Sequence, residues 1–202
     1  MSHASLEGMA TRITVEQVER MLDTGLLVEG APLELIDGVL VYRDRRDRGE
    51  DPMSIGTRHS LVVHLLSKLD AELESRGCWM KANGAVLLSL YDAPQPDAAV
   101  VAGTPRDYTD RFPGPADVHA VIEVSDSSLR QDRRIKLPLY ARAGIGQYVI
   151  FNLPQDCVEV YEQPVVSEEH YASVAVLRRG DRLALRTGDG TALGVDVARL
   201  LP

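Results

Sequence analysis

Two acidic residues border apolar runs in the middle of the chain. Asp97 directly precedes an Ala-Ala-Val-Val run, and Glu123 directly follows a His-Ala-Val-Ile run. A strand buried on both faces reads as a near-continuous apolar run, and an ionised carboxylate there is costly unless it is paired or holds a metal. Mg²⁺ usually takes one or two protein carboxylates and keeps water on its other faces. If their strands are neighbours, Asp97 and Glu123 therefore predict a divalent-cation site, to which the backbone carbonyl of Val124 could add a third oxygen.

A lysine follows these carboxylates on a predicted helix. Asp132, Lys136 and Tyr140 are spaced four residues apart, which places them on one helix face. A lysine beside a metal-bound water could orient that water and balance the charge that builds on a phosphate during attack. The same spacing also fits a plain ion pair between Asp132 and Lys136 on a solvated face. Tyr140 is expected to be a packing residue, and a hydroxyl placed near the site is its alternative role.

The apolar pattern predicts three helices and one hairpin. Helices are expected at residues 14–25, 57–76 and 129–143, each ended by a glycine. Thr14 is placed to cap the first of them. The hairpin combines two short apolar runs at 33–42 joined by Asp37-Gly38, a strong signal for a tight turn.

The predicted strands complete a mixed architecture. An α/β or α+β sandwich around a mixed sheet is expected from the order of helices and strands. A loop is expected at 43–56, and a second loop, rich in proline and glycine, at 103–115. Strands are predicted at 78–80, 85–90, 97–101, 118–124, 147–152 and 158–161, and those at 171–177 and 182–185 suggest a C-terminal β meander.

Length and composition fit one globular domain. A chain of 202 residues, 45% of them hydrophobic, can bury a substantial core. The stretch from Met1 to Gly8 does not resemble a leader, and no apolar run approaches the length that spans a bilayer. We therefore expect a cytoplasmic protein without membrane contact. Cys78 and Cys157 fit neither a disulfide framework nor a zinc knuckle, which predicts inert core residues in a reducing compartment.

Charge is unevenly distributed along the chain. The formal net charge of -8 argues against a strongly adhesive nucleic-acid binder, because that affinity comes largely from Lys and Arg that neutralise phosphates. Two segments are nevertheless basic, and each could form local basic surface or an ordinary solvated face. They are Arg43, Arg45, Arg46 and Arg48, and then Arg130, Arg133, Arg134, Lys136 and Arg142.

Four segments together resemble a known protein family. The similarity is to the Uma-type family of "putative restriction endonucleases", within the PD-(D/E)XK nuclease superfamily, and it runs from about Glu34 to Asn152 in the same order. Any one segment alone would be weak, and the last is the most specific. The segments are Leu33-Glu34-Leu35-Ile36-Asp37-Gly38, Pro96-Asp97-Ala98-Ala99-Val100-Val101, Val121-Ile122-Glu123-Val124-Ser125-Asp126-Ser127, and Asp132-x-x-x-Lys136-x-x-x-Tyr140-Ala141-x-Ala143-Gly144-x-x-x-Tyr148.

The resemblance implies a fold and a set of site residues. The fold would be a restriction-endonuclease-like mixed β-sheet core flanked by helices, with residues 1–202 forming a single domain whose core spans about 30–162. Asp97 and Glu123 would bind Mg²⁺, or Mn²⁺ in its place. The superfamily's lysine is expected two residues after Glu123, where this chain has Ser125. The family is similar in this respect, which makes Lys136 the expected substitute from the following helix.

Two further residues match the family by position. Glu34 corresponds to an early glutamate before Ile-Asp-Gly and would complete the site as an outer ligand or a partner of a metal-bound water. An exposed position in a hairpin is its structural alternative. His59 falls where the family often has a histidine at a helix start, and a capping or packing role there is the alternative to a catalytic one.

The resemblance implies a metal-dependent endonuclease that hydrolyses phosphodiester bonds, with DNA as the expected substrate. A homodimer is expected, since two-fold dimers are the commonest assembly and two sites cut both strands most simply. The alternative is a non-catalytic regulator that keeps the nuclease fold and binds nucleic acid or protein. The net charge and the absent lysine after Glu123 favour that alternative.

Overall fold

The computed structural model of the protein describes residues 11–28, 30–42 and 56–202. The basic segment at Arg43 to Arg48 and most of the loop expected at 43–56 lie outside these residues. The described α-helices are α1 (Val15–Asp23), α2 (Thr57–Ser67), α3 (Asp70–Glu74), α4 (Leu129–Gln131) and α5 (Leu137–Arg142). The described strands are β1 (Leu33–Ile36), β2 (Val39–Tyr42), β3 (Cys78–Ala82), β4 (Ala98–Ala102), β5 (Val118–Ser125), β6 (Gln147–Asn152), β7 (Cys157–Val165), β8 (His170–Leu177), β9 (Arg182–Arg186) and β10 (Ala192–Asp196).

A six-stranded mixed sheet in the order β3-β4-β5-β6-β7-β8 organises the fold. Neighbouring strands are antiparallel except β5 and β6, which are parallel and joined through α4 and α5. A parallel pair requires such a crossover connection, because a tight turn cannot return the chain in the same direction. The expected mixed α+β fold is confirmed.

Apolar layers cover both faces of this sheet. On one face, α2, α3 and the antiparallel pair β9–β10 contribute to a core that includes Leu66, Leu73, Ile122 and Leu183. On the other, α5 supplies Tyr140 to a smaller core. Strands β5 and β6 lie between the two layers and are almost entirely buried, which explains their continuous apolar runs.

Several predicted elements are confirmed. Helix α1 begins after Thr14, whose hydroxyl accepts the backbone N–H of Gln17 in a capping box. Strands β1 and β2 form the expected hairpin, and both turn residues, Asp37 and Gly38, have positive φ. Cys78 and Cys157 are both buried, as expected. In the part of the chain that the structure describes, no helix is long and apolar enough to span a bilayer.

Other elements differ from the prediction. The single helix expected at 57–76 is divided into α2 and α3 by a turn at Lys68 and Leu69. The strand predicted at 85–90 is wrong, because the N–H groups of Val86 and Leu87 bond to loop carbonyls of Pro94 and Pro113 instead of a ladder. The C-terminal strands divide between two sheets, since β8 pairs with β7 while β9 pairs with β10.

The C-terminal pair β9–β10 is expected to belong to the same cooperative unit as the large sheet. Leu183 is fully buried in the core that contains Ile122. Leu183→Ala should therefore lower the free energy of unfolding by about 2 to 5 kcal/mol, measured by urea denaturation. Leu26→Ala, at a side chain that is 76% exposed, is the control and should leave stability nearly unchanged. A separate early transition in wild type would contradict one cooperative unit.

Candidate active site

Strand register brings the two predicted metal ligands face to face. Ala98 pairs with Ile122 across the antiparallel β4–β5 ladder, so Asp97 and Glu123 are the next residues to oppose each other. Directly opposed side chains on antiparallel strands have Cβ atoms roughly 5 Å apart. Both residues are buried. The condition that their strands are neighbours is therefore met.

Lys136 lies between two carboxylates of this site. Its Nζ donates to Glu123 Oε1 at 2.8 Å and to Glu34 Oε1 at 3.1 Å. Only 4% of Lys136 is exposed. The exposed ion pair with Asp132, considered from the spacing alone, is therefore wrong, and so is the exposed hairpin position considered for Glu34, which is buried in β1.

Tyr140 contacts the same carboxylate and also packs in the core. Its hydroxyl donates to Glu123 Oε1 at 3.1 Å, and its ring lies 4.9 Å from that of Tyr148. Both the packing role and the position near the site are therefore correct. Burial raises the pKa of the Tyr140 phenol well above its usual value, so it remains a hydrogen-bond donor.

Burial dominates the electrostatics of Glu123. It raises the pKa of this carboxyl to about 8, against the opposing effect of Lys136 and with further contributions from Asp97, Asp132 and Glu34. For Lys136, burial lowers the pKa, but Glu123 and Glu34 more than offset this effect and raise the pKa above its usual value. The lysine therefore stays charged, and the carboxylates around it exceed it in number.

A π-helical turn carries Lys136 into the site. Residues Asp132–Lys136 form this wide turn between α4 and α5, and the N–H of Leu137 bonds to the carbonyl of Asp132, five residues earlier. Pro138 follows at the start of α5. A proline lacks the N–H that an α-helix needs and its ring clashes with the carbonyl four residues before it, here that of Arg134. The wider turn accommodates Pro138 and buries both Asp132 and Lys136.

Asp132 contacts Ser125, the residue two positions after Glu123. Ser125 Oγ donates to Asp132 Oδ2 at 2.7 Å, and both side chains are buried. The hydrogen bond ties the end of β5 to the π-helical turn. Asp132 therefore contacts Ser125 directly. It acts on Glu123 only through electrostatic repulsion, which contributes to the raised pKa of the Glu123 carboxyl.

His59 joins the site through Asp97. It lies in the first turn of α2, and its Nε2 is 3.0 Å from Asp97 Oδ2. The same carboxylate oxygen accepts the backbone N–H of Val124 at 2.8 Å. These two contacts fix the orientation of Asp97. The other ring nitrogen of His59, Nδ1, makes no hydrogen bond to any described residue, so the side chain does not cap its helix. The capping alternative for His59 is therefore wrong.

The donor set fits a divalent cation that keeps most of its waters. Among the described residues, no three His, Cys, Asp or Glu side chains are arranged as a metal cage. Two facing carboxylates, Asp97 and Glu123, are the number that Mg²⁺ usually takes. Four acidic side chains are buried near one lysine, namely Glu34, Asp97, Glu123 and Asp132. A cation at Asp97 and Glu123 would relieve this excess negative charge.

The basic segment around the site is smaller than the sequence suggested. Lys136 is buried, and Arg142 bonds to Asp37 at 2.7 Å. Arg133 forms a bidentate pair with Glu159. Arg130 is exposed in α4 and Arg134 is exposed within the π-helical turn. These two arginines, with the half-exposed Arg133, form an exposed basic surface on the helical segment that carries Lys136.

Glu159 organises a second buried polar network that the sequence reasoning missed. Besides Arg133, it accepts the amide of Asn152 at 2.6 Å and the hydroxyl of Tyr161 at 2.7 Å. Asn152 pairs with Ser125 across the parallel β5–β6 ladder, so this network borders the candidate site. The available signal was an acidic residue between two apolar ones in the run Val158-Glu159-Val160.

Comparisons with known proteins agree with the fold and with the family resemblance of the four sequence segments. The sequence model of the family described as "Uma2: Putative restriction endonuclease" matches residues 16–196. A solved structure titled "Crystal structure of a putative nuclease belonging to DUF820 from Anabaena variabilis ATCC 29413 at 1.96 A resolution" superposes with a TM-score of 0.65. It is 15% identical, and the match covers 93% of this chain and 97% of that one, which supports the fold alone. No curated protein matches the chain significantly.

Removing the central ammonium should destabilise the fold. Lys136→Met leaves Glu34 and Glu123 buried without their shared partner and should lower the free energy of unfolding by about 3 kcal/mol. Adding Glu123→Gln removes one of the orphaned charges and should recover part of that loss. Urea denaturation without divalent cations measures both effects. Lys68→Met, at an exposed lysine, is the control, and an equal effect of both lysine substitutions would refute the pairing.

Proposed function

The chain belongs to the Uma2 family, described as "Putative restriction endonuclease", and we propose that it is a metal-dependent endonuclease that hydrolyses phosphodiester bonds in DNA. The observation that carries this proposal is the buried pair Asp97 and Glu123, opposed across two strands with Lys136 bonded to one of them. Buried charge of this kind is costly to a fold, so its concentration at one point favours a functional role.

Asp97 and Glu123 would hold Mg²⁺ or Mn²⁺, with the carbonyl of Val124 as a further oxygen ligand. Such a cation lowers the pKa of bound water and stabilises negative charge on a phosphoryl group. The N–H of Val124 and His59 orient the Asp97 carboxylate. His59 is therefore proposed as a positioning residue for this ligand.

Lys136 is proposed to act as a cation and hydrogen-bond donor. Because the neighbouring carboxylates raise its pKa, it retains its proton and does not serve as a general base. Its ammonium would orient the attacking water and balance the charge that develops on the phosphate as water attacks the phosphorus in line and the bond to the leaving oxygen breaks. Glu34 and Tyr140 keep the ammonium and Glu123 in place.

The exposed basic surface beside the site would meet the nucleic-acid backbone. Arg130 and Arg134 lie on the helical segment that also carries Lys136, so phosphates bound there would approach the carboxylates. A second copy of the chain is part of the proposal, because two sites can cut both strands of a duplex. A cytoplasmic location is part of it as well, since DNA is the proposed substrate.

A non-catalytic binding protein is the rival function. Ser125 stands at the position where the superfamily carries its lysine, which favours this alternative. Such a protein would bind DNA without cleaving it and would tolerate loss of Asp97 without any change in DNA binding. The two functions therefore differ in whether DNA cleavage occurs and in whether it requires metal and Asp97.

Cleavage of supercoiled plasmid DNA with Mg²⁺ or Mn²⁺ tests the proposal. Wild type should nick or linearise the plasmid, and chelation of the metal should abolish cleavage. Asp97→Asn should reduce the rate at least about 100-fold, because loss of a metal ligand removes several kcal/mol of charge stabilisation in the transition state.

Asp110→Asn is the matched control, since Asp110 is exposed and lies in a bend away from the site. It should cleave at the wild-type rate. Wild-type protein that binds the plasmid but never cleaves it with either metal would refute the enzyme and support the binding protein. Equal cleavage by wild type and Asp97→Asn would refute the proposed role of Asp97 as a metal ligand.

A further inference from the structure

Strand β8 is an open edge of the six-stranded sheet. It is eight residues long and pairs with β7 alone, through a ladder from His170–Val165 to Leu177–Val158. Within residues 11–28, 30–42 and 56–202, no side chain or loop hydrogen-bonds to its outward backbone groups. A row of unpaired N–H and C=O groups is a template for another strand.

The opposite edge of the same sheet is protected. Strand β3 has only five residues, carries Lys81, and donates the N–H of Met80 to the carboxylate of Asp70 at 2.6 Å. Helices α2 and α3 also pack against it. Charged residues and side-chain caps are the usual means of blocking an edge. Of the two edges of this sheet, the β3 edge is therefore blocked and the β8 edge is open.

Apart from His170 at its start, the exposed side chains of β8 are apolar. Val174 is 62% exposed and Val176 is 54% exposed, and Ala172 and Ala175 are exposed as well. The strand contains neither proline nor lysine, the residues that most often discourage edge pairing. Val174 and Val176 are two residues apart on one strand, so their side chains project on the same side of the sheet.

The charges that flank β8 are opposite in sign. Glu168 and Glu169 precede the strand, and Arg178 and Arg179 follow it. Glu169 already lies 3.7 Å from Arg142, and Arg179 bonds to Asp156, so these charges have partial partners. An antiparallel copy of the same strand would nevertheless place the acidic end of each against the basic end of the other. The charges that flank β8 are therefore complementary to those of a second copy of the same strand.

We propose that β8 pairs antiparallel with β8 of a second copy of the chain, across a two-fold axis beside Val174. The two six-stranded sheets then become one continuous sheet. In this register Val174 opposes its own copy, Ala172 opposes Val176, and Glu169 opposes Arg179. The strand of an unrelated protein would not repeat this pattern, which is why a second copy is the occupant. The inference does not depend on nuclease activity.

Sedimentation velocity of the full chain over a range of concentrations tests this interface. Wild type should sediment as a dimer in the upper part of this range, and closed two-fold dimers are the commonest assembly of soluble chains. Val174→Lys should raise the dimer dissociation constant at least about tenfold, because two like charges would oppose each other at the axis. Val39→Lys is the control, at a valine that is 58% exposed in another strand, and should remain dimeric.

A wild-type chain that stays monomeric would overturn the proposal, and so would a Val174→Lys dimer as tight as wild type.

Val174→Cys gives an independent test that does not rely on disruption. Directly opposed residues of antiparallel strands have Cα atoms about 4.5 to 5.5 Å apart, within reach of a disulfide. Mild oxidation should therefore link two copies, visible as a dimer on a non-reducing gel. Val39→Cys is the control and should not link, and the native Cys78 and Cys157 are buried. Failure of Val174→Cys to link above this control would overturn the register.

Discussion

The candidate site depends on one buried ammonium. Lys136 joins Glu34 of the N-terminal hairpin to Glu123 of the central strand, and it comes from the helical segment that connects the two parallel strands. Three parts of the chain that are distant in sequence therefore meet at one atom. Removing the ammonium would leave two buried carboxylates without the cation that they share, which is far more costly than losing a surface pair.

Around this ammonium, negative charge is in excess. Burial and the neighbouring acids raise the pKa of Glu123 to about 8, which means that the folded protein without metal resists full ionisation of its own site. A fold selected for stability alone gains nothing from this arrangement. A divalent cation shared by Asp97 and Glu123 would account for the excess of buried carboxylates. His59 and the Val124 N–H would then fix the orientation of Asp97 as one of its ligands. The buried carboxylates would then lower the free energy of unfolding in the absence of metal, and the bound cation would balance their charge.

Sequence reasoning located these residues because the side-chain type was unusual for its surroundings. Carboxylates beside apolar runs indicated buried strands, and the register then made Asp97 and Glu123 opposite. The π-helical turn was not predicted, although Pro138 was a signal that the α-helix could not continue unchanged. Residues 85–90 have a strand-like composition, but the backbone N–H groups of Val86 and Leu87 bond to carbonyls of distant loops. No local sequence pattern reveals these partners. Glu159 was missed because its partners Asn152 and Arg133 come from two other elements, the end of β6 and the π-helical turn.

Metal binding by the folded protein tests the central claim most directly. Isothermal titration with Mn²⁺, together with thermal unfolding at increasing Mn²⁺, should show saturable binding to wild type and a rise in melting temperature. Ligand at 100 times its dissociation constant would stabilise the fold by about 2.7 kcal/mol. Asp97→Asn and Glu123→Gln should each lose this binding, while Asp110→Asn should retain it. Wild-type protein that neither binds nor is stabilised by Mn²⁺ or Mg²⁺ would contradict the account.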